Sequence, residues 1–253
     1  MPLETKRRAR AASRPRLDLP PPFRPVALRE AGDAFAHAQE IAAAEGAGTL
    51  VHVGRFDLAE LAVVLEPEEP LRSARRALYI GLCALGDALA ALAPPEKPIS
   101  FDWPDAIRVD GGLVGGARLA WPPAADEDEP PAWLVFGAMI RLVAMDDDKP
   151  GLRPPAAALD QEGFDDPDSG RLVEGFARHL MATVDGCREN GFGEAAKHYL
   201  SRLAPARGLH RDIDPHGDLL VRPLAGGKVE RRSLVAALAA PSWLDAETGG
   251  PRT

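Results

Sequence analysis

The chain is short of several things at once. Of its 253 residues two are cysteine, Cys83 and Cys187, and two are tyrosine. Two thiols so far apart, each inside a helical pattern, exclude a disulfide framework and a cysteine zinc site; they read as reduced, buried thiols without the placement of a nucleophile. Basic residues are in deficit, 30 Lys and Arg against 38 Asp and Glu. That balance excludes a general nucleic-acid binder, which shows a basic face. No apolar run reaches the roughly 20 residues that cross a bilayer, so no membrane partner is expected. Lys6-Arg7-Arg8 stands where a twin-arginine signal would, but prolines and Asp18 follow in place of an apolar core. A soluble cytoplasmic protein is expected. The six histidines are scattered; His210 and His216 lie near Asp212 and Asp214, but the turn Asp214-Pro215-His216-Gly217 accounts for that cluster and no metal site is expected.

What is present is 45% apolar residues, enough for one sizeable core and a small appended module. Residues 1–25, basic and proline-rich, read as a disordered leader. Asp33 begins a helix that ends near Gly46. Thr49 to Val53 and Leu58 to Leu65 are strands around the turn Gly54-Arg55-Phe56-Asp57. A long alanine-rich helix runs from Leu71 to Leu92. Trp133 to Val143 is a strand after an acidic, proline-rich loop, and residues 146–170 form a second irregular acidic loop. Helices over Arg171 to Glu189 and Phe192 to Leu203 follow. Beyond them lie three short strands, Gly208 to Asp214, Asp218 to Leu224 and Lys228 to Arg232, and a helix from Ser233 to Ala239. Hairpin strands with inserted helices indicate an α+β domain, its mixed β-sheet covered by helices on one side. The domains expected are residues 26–206 and a small C-terminal β module, 207–253, packed on them.

The most informative stretch is Trp103-Pro104-Asp105-Ala106-Ile107-Arg108-Val109-Asp110-Gly111-Gly112-Leu113-Val114-Gly115-Gly116. Ile107 and Val109 alternate with Arg108 and Asp110, the period of a half-buried strand. Asp110-Gly111 supplies the positive-φ turn that closes a hairpin. Gly115-Gly116 lets something approach the backbone where a Cβ would exclude it. The glycine pairs 111–112 and 226–227 lack the strand-to-helix setting of a phosphate loop and read as turns.

This segment resembles the signature of the biotin and lipoate protein ligases: Trp-Pro-Asn-Asp, a strand, a tight turn with a lysine, and a small-Gly pair. The Trp-Pro, strand, turn and glycine pair align without a gap. Asp105 stands where the family has Asn, Ala106 where it has Asp, and Leu113 where it has the lysine. The order helix, strand, Gly54-Arg55, strand and long helix is similar to the opening of that catalytic domain, with its Gly-Arg-rich loop cut to four residues. Asn190-Gly191-Phe192 with Tyr199, and Ile213 to Val221, resemble later parts of the family, the second its small SH3-like module. The resemblance implies a class II synthetase-like fold over most of residues 26–240.

It also implies a chemistry. The family joins a carboxylic acid to ATP as an acyl-adenylate, then passes the acyl group to a lysine of a carrier domain. Such a site needs a cation near the carboxylate and α-phosphate. Leu113 cannot supply it, so no catalytic residue is assigned; Arg108 and Arg118 are candidate substitutes. Asp105-Ala106 keeps one carboxylate, compatible with Mg2+ held mostly by phosphates. The resemblance implies a ligand pocket of Gly54, Arg55, Trp103, Asp105, Arg108, Gly115 and Gly116. It would take biotin, lipoate, octanoate or an adenylate, with ATP and Mg2+ as cofactors and a biotinyl or lipoyl carrier domain as partner. Two further readings remain: a catalytically inactive ligand- or carrier-binding pseudo-ligase, and an interaction module using the acidic loops and β module.

Overall fold

The computed structural model describes residues 17–30, 32–145 and 156–252. Most of the expected leader, residues 1–16, and the first part of the second acidic loop, 146–155, lie outside the described residues. The main domain runs β1 (Arg24–Leu28), α1 (Ala34–Glu45), β2 (Thr49–Gly54), β3 (Leu58–Leu65), α2 (Leu71–Ala74), α3 (Ala77–Leu92), β4 (Ile99–Asp102), β5 (Ala106–Val109), β6 (Gly112–Ala120), β7 (Leu134–Arg141), α4 (Ser169–Asn190) and α5 (Phe192–Arg202). After it come β8 (Leu209–Ile213), β9 (Leu219–Pro223), β10 (Glu230–Arg232) and α6 (Leu234–Leu238).

Seven strands form one mixed sheet in the order β1-β2-β3-β7-β6-β5-β4, parallel at β1–β2 and antiparallel elsewhere. β8, β9 and β10 make a separate three-stranded antiparallel sheet. Strand alternation sorts β3, β7 and β6 into two faces. Leu61, Val63, Phe136, Ala138 and Leu119 meet α3, α4 and α5 in the larger core. Gly81 of α3 makes the fit close: a Cβ there would stand 2.3 Å from the Phe136 ring, which stacks on Phe176 at 5.5 Å. Ile213, Leu219, Val221 and Leu234 join this same core, so the small sheet packs on the main one.

The opposite face is not bare. Ala34, Ala38 and Ala42 of α1 cover Val51, Val53, Ala62, Val64 and Val135. Asp33 starts that helix by accepting the amide of Ala36 at 2.8 Å, and Gly46, at φ 73°, ends it. Helices on one side therefore describes α3 to α5 but not α1. Two other expectations change. β1 is an edge strand with a mostly exposed pattern, so it shows no apolar alternation in sequence. The long helix is broken by a turn at Arg75-Arg76, where the buried Arg75 guanidinium pairs with Glu127 and lies 4.6 Å over the Trp121 ring.

Candidate functional site

The hairpin expected after Trp103 forms as β5 and β6, and both turn residues take positive φ, Asp110 at 48° and Gly111 at 85°. The Trp103-Pro104 peptide is cis. Register then sets out a row across the face opposite α3–α5. Ala106 pairs with Gly116, Gly116 with Met139, and Met139 with Glu60. Arg141 lies two residues beyond Met139 on the same face, paired with Leu58.

Gly115 and Gly116 are places of close approach. A Cβ on Gly115 would stand 1.9 Å from the Met139 carbonyl oxygen. One on Gly116 would stand 2.3 Å from Trp243 Cδ1 and 2.4 Å from the Asp105 carbonyl oxygen. Trp243 belongs to the segment after α6. It is fully buried, its Nε1 donates to the Ala117 carbonyl at 3.1 Å, and Leu58, Ala106, Met139 and the half-buried Leu113 surround it. Leu113, which the resemblance alone sets in the lysine position, packs in an apolar cluster.

Asp105 is fully buried beside this cluster. Ser242 Oγ donates to its Oδ1 at 2.8 Å, while Oδ2 has no hydrogen-bond partner among the described residues. Burial raises its pKa to about 6, with the Ser242 hydrogen bonds pulling the other way. The 242–252 segment closes on itself as well. Arg252 N donates to the Trp243 carbonyl at 2.8 Å, and Leu244 bridges Pro251. Arg141 Nη2 donates to the Pro251 carbonyl at 2.6 Å and lies 3.3 Å from that of Arg252; burial lowers its pKa.

The other expected ligand residues lie elsewhere. Trp103 donates through Nε1 to Tyr79 Oη at 3.0 Å and packs on the helix-side core. Tyr79 in turn donates to the Gly217 carbonyl at 2.6 Å. Gly54 pairs with Ala59, and Arg55 is held by Asp57, its Nε 3.0 Å from Oδ1, closing a short hairpin between β2 and β3. The ion pair raises the Arg55 pKa and lowers that of Asp57. Arg108 shares the face of Ala106 but binds Asp102 at 2.6 Å and the Gly111 carbonyl at 2.9 Å. Arg118 lies 4.3 Å over the Phe35 ring and 3.8 Å from Asp33, with its Nε unpartnered among the described residues. Of the expected set, Asp105, Gly115 and Gly116 come together, with Leu113.

Sequence reading did not single out Ser242, Trp243 and Arg141. Two of them carried a signal: a tryptophan in a segment with no pattern to bury it, and an arginine at the end of the apolar run of β7; Ser242 carried none. His216 lies in the expected turn, while His210 lies in β8 opposite Arg222. Asp214 Oδ1 accepts the amides of His216 and Asp218, an Asx turn, and Oδ2 pairs with Arg231. Cys83 is buried, its pKa pushed up to about 12 by desolvation. Among the described residues no helix is long and apolar enough to cross a membrane.

Residues 19–201 match the model of the biotin/lipoate A/B protein ligase family. A biotin--[acetyl-CoA-carboxylase] ligase of Paracoccus denitrificans is 26% identical over 190 residues, covering 66% of this chain and 75% of that protein. The crystal structure of a biotin protein ligase-like protein of unknown function from Silicibacter sp. TM1040 superposes with a TM-score of 0.73 at 27% identity, over 87% of this chain and 98% of that one. Biotin protein ligase from Aquifex aeolicus superposes with a TM-score of 0.65 over 83% and 95%, and at 16% identity this likeness shows the fold. The Aquifex enzyme is also solved with biotin and ATP.

Proposed function

The chain belongs to the biotin/lipoate A/B protein ligase family, and from that premise we propose that it binds a biotin-, lipoate- or octanoate-like acid, in service of a biotinyl or lipoyl carrier domain, without activating it. The observation that carries this reading is Leu113, whose side chain packs with Leu58, Ala106, Met139 and Trp243 where the family's lysine would stand. Forming an acyl-adenylate brings a carboxylate and an α-phosphate together. Removing one positioned charge donor from a site of that kind costs about 3 kcal/mol, a hundred-fold or more in rate. The β2–β3 connection argues the same way. Residues 55–57 are too few to fold over a nucleotide, and Arg55 is already satisfied by Asp57.

ATP and Mg2+ are therefore a poor fit to these residues. What remains suits an uncharged ring: an apolar floor, a glycine at its centre and the polar ends Asp105 and Arg141. An active ligase is the competing reading. The observation in its favour is Arg141, a cation on the same face as Leu58 and Met139.

Two measurements separate them. Purified protein is expected to give no acid-dependent ATP–pyrophosphate exchange with Mg2+, while calorimetry registers saturable binding of at least one of biotin, lipoate and octanoate. Exchange above background would return the protein to the active ligases, and binding of none of the three would remove the pocket reading.

A further inference from the structure

Resting on the pocket reading above, we infer that the 242–252 segment is a tethered occupant of that pocket, and that an incoming acid must displace it, its ring taking the place of Trp243 and its carboxylate the place of the tail carbonyls on Arg141.

Four observations converge on this. The first is position. The indole lies on Gly116, the second glycine of the pair that breaks β6 open to close approach, and among the described residues no helix joins the cluster on this part of the sheet. α1 caps the neighbouring part through a different cluster, and among the described residues Trp243 and Leu244 pack over Leu58, Ala106, Leu113 and Met139.

The second is chemical mimicry. Trp243 presents a flat bicyclic ring whose single N–H goes to the Ala117 carbonyl. Roughly 8 Å away by strand geometry, one strand spacing across from Gly116 and two residues along β7, Arg141 is met by the carbonyls of Pro251 and Arg252. Apolar ring at one end and oxygen on a cation at the other is the outline of a ring-bearing carboxylic acid. Arg141 is in no ion pair among the described residues, so a carboxylate would supply the countercharge that two carbonyls do not.

The third is imperfect complementarity. A segment built as permanent core would satisfy the buried carboxylate it covers, and Asp105 Oδ2 has no partner among the described residues. A ligand ring bearing a second N–H donor, as a cyclic urea does, could satisfy it where indole does not. The fourth is the way the segment is held. Its contacts with the sheet include one indole, one leucine, the Ser242 hydrogen bonds to Asp105 and the Arg141 bonds, and residues 245–249 between its two ends are largely exposed. The helix-side core, which carries the fold, does not include it.

The test uses the full chain. Calorimetric titrations with biotin, lipoate and octanoate compare the wild type with Trp243→Gly, and with the milder Ser242→Ala in case the glycine variant does not fold. At least one acid is expected to bind Trp243→Gly ten-fold or more tightly, and Ser242→Ala several-fold more tightly, than wild type. Adding Arg141→Gln to either variant should remove that gain. Hydrogen–deuterium exchange of the wild type reads displacement directly: saturating acid should speed exchange of the amides of 243–252 while those of β6 and β7 stay protected. Equal affinities in wild type and both variants, or a segment whose protection acid leaves unchanged or raises, overturn the displacement inference and leave the pocket reading standing. Binding to none of the proteins overturns both.

Discussion

Trp243 and Gly116 are in direct contact, the indole edge resting where a Cβ on the glycine would stand 2.3 Å from Cδ1. The contact joins the family's glycine pair to a residue 127 positions further along the chain, and it decides what the pair is for in this structure: close approach of the protein to itself.

The first glycine of the pair does different work. A methyl group at Gly115 meets backbone rather than a side chain, with Met139 O at 1.9 Å and Ile140 Cα at 3.1 Å, so nothing flexible can give way. Gly115→Ala is expected to cost at least about 2 kcal/mol in chemical denaturation, because β6 must separate from β7. A stability within 0.5 kcal/mol of wild type would contradict this register.

Asp105 predicts a pH dependence. Its pKa in the folded chain is about 6, against an ordinary 3.8. Between these values the folded protein binds more protons than the unfolded chain, so this residue's contribution to stability falls as pH rises from 4 through 6. The full effect is about 3 kcal/mol at most, reached above pH 7. Asp105→Asn removes this titration, so the stability difference between the variant and wild type should change across pH 4–6 and level off above 7. Burial likewise raises the pKa of Glu60, present in both proteins, so its contribution cancels in the difference. A difference flat from pH 4 to 8 would show that Asp105 titrates normally.

Tyr79→Phe removes a hydroxyl with two partners, the Gly217 carbonyl and the Trp103 indole. Both partners are left unmade, a cost of about 1–3 kcal/mol. Urea denaturation should show that loss, and exchange of the 215–217 turn should rise more than that of α3. Unchanged stability would mean that water replaces the hydroxyl at no cost.

Leu113→Lys restores the family's residue type without its surroundings. Its ammonium must leave the Trp243 cluster or lie uncompensated within it, so a loss of about 1–3 kcal/mol is expected. ATP–pyrophosphate exchange should stay at background, because the β2–β3 hairpin is as short as before. Gained exchange would show that the lysine alone was missing.

Much of the fold was legible because its signals are local. Asp33 and Gly46 bracket α1 by cap chemistry, Asp110-Gly111 fixes the β5–β6 turn, and the alternation of Phe136, Ala138 and Ile140 in β7 fixes a face. β1 was illegible because an edge strand need not alternate, and the Arg75–Arg76 break because it answers to Glu127, 52 residues from Arg75. The site divides the same way. Gly115 and Gly116 were readable as backbone approaches, but what approaches them depends on long-range contacts. Trp103 and Arg55 carry family-like positions, yet hydrogen bonds to Tyr79 and Asp57 commit them elsewhere. Trp243 gave no periodicity at all, since a single anchoring side chain has no period.

Trp243 follows the end of α6 by five residues, and that short tether has a quantitative consequence. A covalently attached occupant faces its pocket at a fixed local concentration, on the order of millimolar for short flexible linkers. That concentration does not change when more protein is made or when the cell is diluted. A free acid therefore competes against a constant set by chain geometry, and the protein responds to the acid's absolute abundance. The length of the link from α6 to Trp243 sets that threshold.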